Sequence, residues 1–315
     1  MRAAIERAAV LGGGTMGLGI AQILALAGWE VALASSSPPR TRAALEALTG
    51  RTRRHVEMGL WTSEALERLE HVRGAEGLAE AVDGADVLFE AVPEDLELKL
   101  AVLEEVSRSA SQEAIITTNT SSLPIERLAE AVQVPERFVG VHWFNPPEWI
   151  PGVEVIPSTR TGREVLQKTF DFLRVLGKQP VQVGDGPGFV ANRLQYALFT
   201  EALRCVTEGI ATPEQVDAAV RNSFGFRLPF FGPFQIADMA GLDIYAAVYD
   251  VLEVGLGARF ARPEFLSRLV AEGRLGTKKQ RGFYDYQGVD IQEMATRRDR
   301  LYAKLDQLLR ESDWG

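Results

Sequence analysis

The residues with the clearest chemical meaning form a glycine-rich loop near the start of the chain, over residues 12–17 (Gly-Gly-Gly-Thr-Met-Gly). The loop stands between the apolar run 8–11 and the alanine- and leucine-rich segment 18–27, a predicted strand and a predicted helix. In that context the three spaced glycines permit a tight turn, close approach of a pyrophosphate, and close helix–strand packing. The pattern favours a dinucleotide site over a purely structural turn. The residues predicted to bind the cofactor here are Gly12, Gly14, Thr15, Met16 and Gly17.

One histidine is placed to act in acid–base chemistry. His142 ends a predicted strand, 138–142, and the carboxyl ends of parallel strands line the crevice where ligands bind. The other histidines, His55 and His71, lie in a charged helical region. Glu154 stands inside an apolar run, where an unpaired carboxylate would be costly, so it requires a partner, and the imidazolium of His142 suits it. A structural histidine at a strand end is the alternative interpretation.

Further polar residues stand at informative positions. The segment 119–122 (Asn-Thr-Ser-Ser) follows the predicted strand 114–118, so it lies at the same predicted edge as His142. Asn192 lies in the first turns of a predicted helix, where an ordinary solvent-facing or capping asparagine is the alternative. The sequence shows no His/Cys cluster with metal-ligand spacing, so we expect no metal.

The elements that must position these residues alternate between short β-like runs and helical patterns up to about residue 184. This alternation predicts an α/β fold, a doubly wound and mainly parallel Rossmann sheet. The strands are predicted at 8–11, 30–34, 85–92, 114–118, 138–142, 153–157 and 180–183, and helical stretches at 18–27, 39–69 and 162–176.

The pattern changes at residues 184–188 (Gly-Asp-Gly-Pro-Gly), and beyond them it is helical. Turn signals stand at 212–213, 232–233 and 262–263. We therefore predict a dinucleotide-binding domain over residues 1–184 and an all-helical domain over residues 185–315.

Composition bounds the kind of partner. The chain has 315 residues, and its net charge of −9 argues against nucleic acid or an anionic membrane. No apolar stretch reaches the length of a membrane span. The single cysteine, Cys205, excludes an internal disulfide and fits a reducing compartment, and the first predicted strand leaves no room for a signal peptide. We expect a cytoplasmic enzyme with a small-molecule substrate.

The chain resembles the L-3-hydroxyacyl-CoA dehydrogenases and their relatives that act on free β-hydroxy acids, such as L-gulonate 3-dehydrogenase (the lambda-crystallin family) and carnitine dehydrogenase. The resemblance covers nearly the whole chain. It rests on residues 12–17, 92–99, 119–123, 142–147, 188–194, 232–233 and 238–243.

This resemblance implies roles for particular residues in a hydride transfer of fatty acid metabolism. His142 is similar to the general base that removes the hydroxyl proton, and Glu154 to its orienting partner. Ser121 and Asn192 are similar to the donors that hold the reacting oxygen and the neighbouring carbonyl. Residues next to the nicotinamide ribose are implied at Glu94 and Lys99, with Asn119 as a further cofactor-binding residue.

One position departs from the family. Members that prefer NAD end the second strand with an aspartate that binds the adenosine ribose, and this chain has Ser35 there. The change removes a 2′-OH acceptor and a charge that would repel a 2′-phosphate, which serine hydroxyls with Arg40 or Arg42 could hold. Family habit favours NAD, and NADP stays open.

The substrate class is also open at this point. The basic segment 51–55 lies where family members cover CoA, and a solvated helix face is the alternative. Segments 145–151 and 192–198 are closer to the gulonate and carnitine branch, whereas 119–122 is closer to the acyl-CoA branch. A third interpretation, a non-catalytic nucleotide-binding protein like a lens crystallin, conflicts with the presence of all four implied catalytic residues.

The helical domain is predicted to form a homodimer. The segment 224–234 carries five phenylalanines in eleven residues, and burial within its own domain is the alternative. The family resemblance implies pairing through this domain, with Phe231 as one candidate interface residue.

Overall fold

The computed structural model describes residues 5–311, and the chain divides into two compact units, residues 1–198 and 199–315. The boundary that we predict after residue 184 stays a prediction. The helices are α1 (Thr15–Leu26), α2 (Pro38–Glu57), α3 (Glu64–Arg68), α4 (Leu78–Val82), α5 (Leu96–Ser109), α6 (Ile125–Ala129), α7 (Arg163–Val175), α8 (Ala191–Thr207), α9 (Pro213–Asn222), α10 (Pro233–Ala240), α11 (Leu242–Leu256), α12 (Glu264–Ala271) and α13 (Ile291–Glu311).

The first unit is built on one sheet of eight strands in the order β3-β2-β1-β4-β5-β6-β7-β8. All neighbouring pairs are parallel except β6 and β7, which are antiparallel. The mainly parallel, doubly wound sheet that the sequence predicts is therefore confirmed. The strands are β1 (Arg7–Leu11), β2 (Glu30–Ala34), β3 (Val72–Gly74), β4 (Val87–Glu90), β5 (Ile115–Thr118), β6 (Phe138–Trp143), β7 (Gly152–Pro157) and β8 (Gln179–Gln182).

Two apolar cores cover the two faces of this sheet. Alternate residues of a strand point to opposite faces, so Val10 joins one core and Leu11 the other. Helices α1, α2 and α7 pack on the first face, and α4, α5 and α6 on the second. Because both faces are covered, the central strands are continuous apolar runs in the sequence, and these runs made the strands predictable.

The helical stretch predicted over 39–69 is wrong in its length, because α2 ends at Glu57. Gly59 adopts a positive φ of 70°, and its N–H donates to the Val56 carbonyl at 2.9 Å. The next N–H, of Leu60, donates to His55 O at 2.9 Å, which completes a left-handed helix cap. The strand β3 was also missed, since three residues that include an arginine form no apolar run.

The second unit is helical, as predicted. Its core is small, formed by Ala237, Leu242, Ala246, Leu266 and Leu269. Three of the five phenylalanines in the segment 224–234 lie around one ring: Phe226, Phe230 and Phe231 have centroids 5.5, 6.2 and 6.1 Å from that of Tyr302 on α13. These three are partly buried within their own unit. This packing supports the alternative of burial within the unit for these three rings, and the choice of Phe231 as an interface residue stays a prediction.

Candidate active site

The glycine loop occupies the carboxyl edge of the sheet, between β1 and α1. Gly12 has a φ of 126°, and a Cβ on it would lie 2.4 Å from the Ala91 carbonyl oxygen beyond β4. A Cβ on Gly17 would lie 1.9 Å from the oxygen of Gly12. A Cβ on Gly14, in contrast, would meet no described atom within 4 Å. Two glycines thus allow close packing, and the middle one leaves an open face, as a pyrophosphate at a helix N-terminus requires.

His142 and Glu154 face each other across β6 and β7. The antiparallel register pairs them directly, and opposite residues of such a pair project to the same face. His142 Nδ1 lies 2.8 Å from Glu154 Oε2, and the two residues are only 3% and 6% exposed. Because Nδ1–H donates to the carboxylate, the lone pair of Nε2 is the one that can accept a proton.

The second oxygen of Glu154 anchors the start of α8. Glu154 Oε1 accepts hydrogen bonds from the backbone N–H groups of Val190 at 3.0 Å and Ala191 at 2.9 Å. The helix dipole favours a carboxylate at this end. Asn192 follows directly, and its Nδ2 donates to the carbonyl of Ser121 at 3.1 Å. A continuous series of contacts therefore joins the four residues that the sequence singles out for chemistry.

Apolar rings surround the imidazole of His142. The ring centroids of Phe144 and Phe189 lie 4.5 and 5.6 Å from it. Phe189 is buried and has a φ of 49°, a left-handed conformation that is uncommon for a bulky residue. Little water surrounds such an imidazole, which strengthens its attraction to the Glu154 carboxylate.

A carboxylate organises the loop that carries Ser121. Glu94 Oε1 accepts from the Thr120 hydroxyl at 2.6 Å and from the N–H groups of Ser121 and Ser122 at 2.8 and 3.1 Å. Burial acts to raise the pKa of Glu94, but these hydrogen bonds and the charge of Lys99 outweigh it and hold the pKa below its usual value. Glu94 is therefore held ionised beside the Ser121 loop.

Lys99 and Asn119 lie at the same edge but beneath its surface. The side chain of Lys99 is 0% exposed, and its Nζ lies 2.7 Å from Glu90 Oε1 and donates to the Asn119 carbonyl at 3.2 Å. Burial raises the pKa of Glu90, a shift that the Lys99 charge opposes in part. Asn119 Oδ1 accepts from the Trp143 N–H at 3.0 Å. The contact of Lys99 with a ribose stays a prediction.

Ser35 lies beside the glycine loop, at the end of β2. A Cβ on Gly13 would lie 3.3 Å from Ser35 Oγ, and the Ser35 N–H donates to the Thr41 hydroxyl at 3.0 Å. Arg40, in the first turn of α2, donates to the neighbouring Ser36 hydroxyl at 3.3 Å. A hydroxyl and a guanidinium thus stand together near the place where a family aspartate would bind a ribose diol.

Within the basic segment 51–55, Arg51 and His55 have partners in the chain, whereas Arg53 and Arg54 are exposed, and a role in binding CoA stays a prediction. Arg51 forms an ion pair with Glu148 and donates to the Thr15 carbonyl at 3.3 Å. His55 packs edge-on against Trp61 and Trp149, with centroid distances of 4.5 and 5.5 Å. Burial lowers the pKa of His55, although the charge of Glu148 opposes this.

Sequence reasoning missed two parts of the site. Glu90 lies in the buried strand β4, and the argument that gave Glu154 a partner applies equally to it. The anchoring of Glu154 by the backbone of residues 190 and 191 carries no side-chain signal, so residue types alone do not reveal it. Within residues 5–311, no group of three or more His, Cys, Asp or Glu side chains could hold a metal ion, and no helix has the length and apolarity needed to cross a membrane.

Two protein-family models together match most of the chain. Residues 7–186 match the family model described as 3-hydroxyacyl-CoA dehydrogenase, NAD binding domain. Residues 188–286 match 3-hydroxyacyl-CoA dehydrogenase, C-terminal domain.

Individual relatives match over nearly their full length. The chain is 37% identical over 290 residues to a 3-hydroxybutyryl-CoA dehydrogenase of Bradyrhizobium diazoefficiens, covering 91% of this chain and 98% of the relative. It is 33% identical over 306 residues to the 5-formyl-3-hydroxy-2-methylpyridine 4-carboxylate 5-dehydrogenase of Mesorhizobium japonicum, covering 97% and 98%. The crystal structure of a 3-hydroxyacyl-CoA dehydrogenase from Archaeoglobus fulgidus superposes with a TM-score of 0.78 at 33% identity, covering 97% and 98%.

The chain therefore belongs to the 3-hydroxyacyl-CoA dehydrogenase family. It is an oxidoreductase that acts on a CH–OH group with a nicotinamide cofactor. The family resemblance predicted from the sequence is confirmed, and the non-catalytic alternative is not supported.

Proposed function

We propose that this enzyme transfers a hydride between a nicotinamide cofactor and the 3-hydroxyl of a 3-hydroxyacyl-CoA of the 3-hydroxybutyryl type. The observation that supports it most is the buried His142–Glu154 pair, linked by contacts to Ser121 and Asn192. Relatives named 3-hydroxybutyryl-CoA dehydrogenase, one of them as probable, match at 37%, 35% and 33% identity, which favours a CoA thioester over a free β-hydroxy acid. The single cysteine fits action in the cytoplasm.

The proposed proton transfer begins at His142. Its Nε2 accepts the hydroxyl proton of the substrate, and the carboxylate of Glu154 stabilises the resulting imidazolium through Nδ1–H. A bound nicotinamide would supply the hydride acceptor for the same carbon. A general base that is already oriented and shielded by Phe144 and Phe189 needs little reorganisation at the moment of transfer.

Ser121 and Asn192 hold the substrate in this proposal. The Ser121 side chain is exposed on the loop fixed by Glu94, so its hydroxyl can donate to the reacting oxygen. Asn192 Nδ2 lies 3.1 Å from the Ser121 carbonyl and can donate to the thioester carbonyl next to the reacting carbon. Fixing both oxygens orients the C–H bond from which the hydride leaves.

NAD is the cofactor that we propose, because the matching family model is an NAD binding domain. The open face at Gly14 fits the pyrophosphate. NADP is the alternative, supported by Ser35 in place of an aspartate and by the Arg40–Ser36 pair. Residue 35 is the proposed determinant of the choice.

We also propose that the second unit pairs with a second copy of the chain. On α11, Ile244, Val248, Val251 and Val254 repeat at helical spacing, and they are 53%, 50%, 72% and 90% exposed. A continuous apolar stripe of this kind is unfavourable in water and suits a two-fold interface between identical helices.

A crossed assay tests the substrate and cofactor proposals together. Purified enzyme is assayed with NAD and with NADP, against 3-hydroxybutyryl-CoA and a panel of free β-hydroxy acids that includes L-gulonate and carnitine. We expect the highest kcat/KM with 3-hydroxybutyryl-CoA and NAD. A higher kcat/KM with any free acid of the panel would contradict the CoA assignment, and a higher value with NADP would contradict the cofactor assignment.

A further inference from the structure

A buried carboxylate that the proposed reaction does not use lies beneath the carboxyl edge of the sheet. Glu90, the last residue of β4, is 0% exposed. Its Oε1 accepts from Lys99 Nζ at 2.7 Å and from the Val92 N–H at 2.7 Å, and its Oε2 accepts from the Thr118 hydroxyl. Every contact of this carboxylate is therefore with a neighbouring element of the same edge, and none is with solvent.

The ammonium of Lys99 is fully coordinated by protein. In addition to Glu90 it donates to the carbonyls of Val92 and Asn119, each at 3.2 Å, which uses its three N–H groups. Glu94 Oε2 lies 3.8 Å away. One cation therefore connects the end of β4, the loop after it and the residue that follows β5.

These contacts reach the residues proposed to bind cofactor and substrate. Asn119 is held at its carbonyl by Lys99 and at Oδ1 by the Trp143 N–H, and Trp143 follows His142 directly. Glu94 binds the N–H groups of residues 121 and 122 through its other oxygen, Oε1. A displacement of the ammonium would therefore shift both Asn119 and Glu94.

Stability alone does not require an ion pair here. Desolvation cancels much of the attraction between two buried charges, and apolar or neutral groups of similar size are often as stable. Removing only one member is different, because it leaves a buried charge without its counterion. The contacts of this pair with Asn119 and Glu94 point instead to a role in positioning.

We propose that Glu90 is a positioning residue for the cofactor half of the site, which acts through Lys99 to fix Asn119 and Glu94. The proposal rests on the proposed function, in which a nicotinamide cofactor binds at this edge of the sheet, beside Asn119 and Glu94. It assigns Glu90 no contact with the reacting atoms.

A double-mutant cycle tests the proposal with NADH binding as the readout. The dissociation constant is measured by fluorescence titration for the wild type, Glu90→Gln, Lys99→Met and the double variant, well below the thermal transition of each. Glu104→Gln is the matched control, since it breaks an exposed carboxylate–arginine pair on α5. We expect Glu90→Gln and Lys99→Met each to raise the constant about tenfold, the factor that corresponds to one lost hydrogen bond to a charged group. The double variant should bind NADH no more weakly than Lys99→Met, because Glu90 acts through Lys99 and the double variant also lacks the unpaired buried carboxylate that Lys99→Met leaves.

Each outcome decides the proposal. A folded Glu90→Gln or Lys99→Met variant with wild-type NADH binding would overturn it. So would a double variant that binds NADH clearly more weakly than Lys99→Met, since Glu90 would then act independently of Lys99. If Glu90→Gln does not fold, the comparison of the double variant with the wild type still decides, because the double variant holds no unpaired buried charge and should bind NADH about tenfold more weakly than the wild type. A wild type that binds NADH but fails to turn over hydroxyacyl-CoA would refute the proposed function and leave this test intact.

Discussion

Substitution by alanine at Gly17 should lower the stability of the fold, whereas the same substitution at Gly14 should weaken the binding of NADH. Gly17→Ala places a Cβ 1.9 Å from the backbone oxygen of Gly12, which lies in the tight turn and cannot move as a side chain can. Forcing a methyl group into such a contact costs about 3 kcal/mol. For a unit of this size that loss corresponds to a melting temperature lower by roughly 6–12 °C.

Gly14→Ala places its Cβ in open space, so its effect on folding should be small. Alanine is a poorer N-cap than glycine, which lowers the free energy of unfolding by about 0.5–1 kcal/mol. Alanine also restricts the unfolded chain more than glycine does, which raises the free energy of unfolding by about the same amount. The methyl group occupies the face that a pyrophosphate must approach, so the dissociation constant of NADH should rise tenfold or more, about 1.4 kcal/mol.

Thermal melting followed by circular dichroism and NADH fluorescence titration separate the two effects. Gly17→Ala with a wild-type melting temperature would refute the packing argument. Gly14→Ala with unchanged NADH binding would show that the open face is not the phosphate side.

Three further expectations follow from particular contacts. Ser35→Asp should raise the ratio of kcat/KM with NAD to that with NADP, and an unchanged ratio would mean that residue 35 does not face the adenosine ribose. Val254→Glu should give a folded species near 34.6 kDa in light scattering where the wild type gives twice that mass, and Val175→Glu, an equally simple change on α7, should leave the mass unchanged. Glu94 has a lowered pKa when folded, so its contribution to stability is present above its ordinary pKa of 4.5 and is lost as pH falls through the lower folded value. Urea unfolding at about pH 5 and about pH 3 should therefore show a smaller loss for Glu94→Gln than for the wild type, and an equal loss would contradict the sign of that shift.

The parts of this fold that the sequence predicts are those with a periodic or local signal. The central strands are buried on both faces, so their apolar runs mark them. In the glycine loop, the positive φ of Gly12 and the close backbone contact of Gly17 are requirements that favour glycine. Helix α2 ends at Glu57 because Gly59 adopts a left-handed conformation. The charged residues around Gly59 continue the helical pattern in the sequence, so the helix was predicted to be too long.

Residue types predicted which side chains belong to the candidate site, but not all of the contacts that hold them. The cost of burial predicted a partner for Glu154, and His142 suited that role, although only the antiparallel register of β6 and β7 explains their 2.8 Å contact. The hydrogen bonds from the Val190 and Ala191 N–H groups to Glu154 depend on tertiary structure, so residue types do not predict them. The burial of Lys99 against Glu90 likewise depends on how α5 packs beside β4.

Turnover by His142→Gln is the most direct test of the account, because the proposed chemistry depends on this one imidazole and its Glu154 partner. NADH oxidation is followed with acetoacetyl-CoA, and NADH binding is measured on the same samples. We predict that binding is unchanged and that kcat falls by about two to four orders of magnitude, the usual contribution of a general base. His71→Gln, a change at an exposed histidine, should keep wild-type turnover. A folded His142→Gln enzyme that kept more than about a tenth of wild-type turnover would contradict the assignment of His142 as the base.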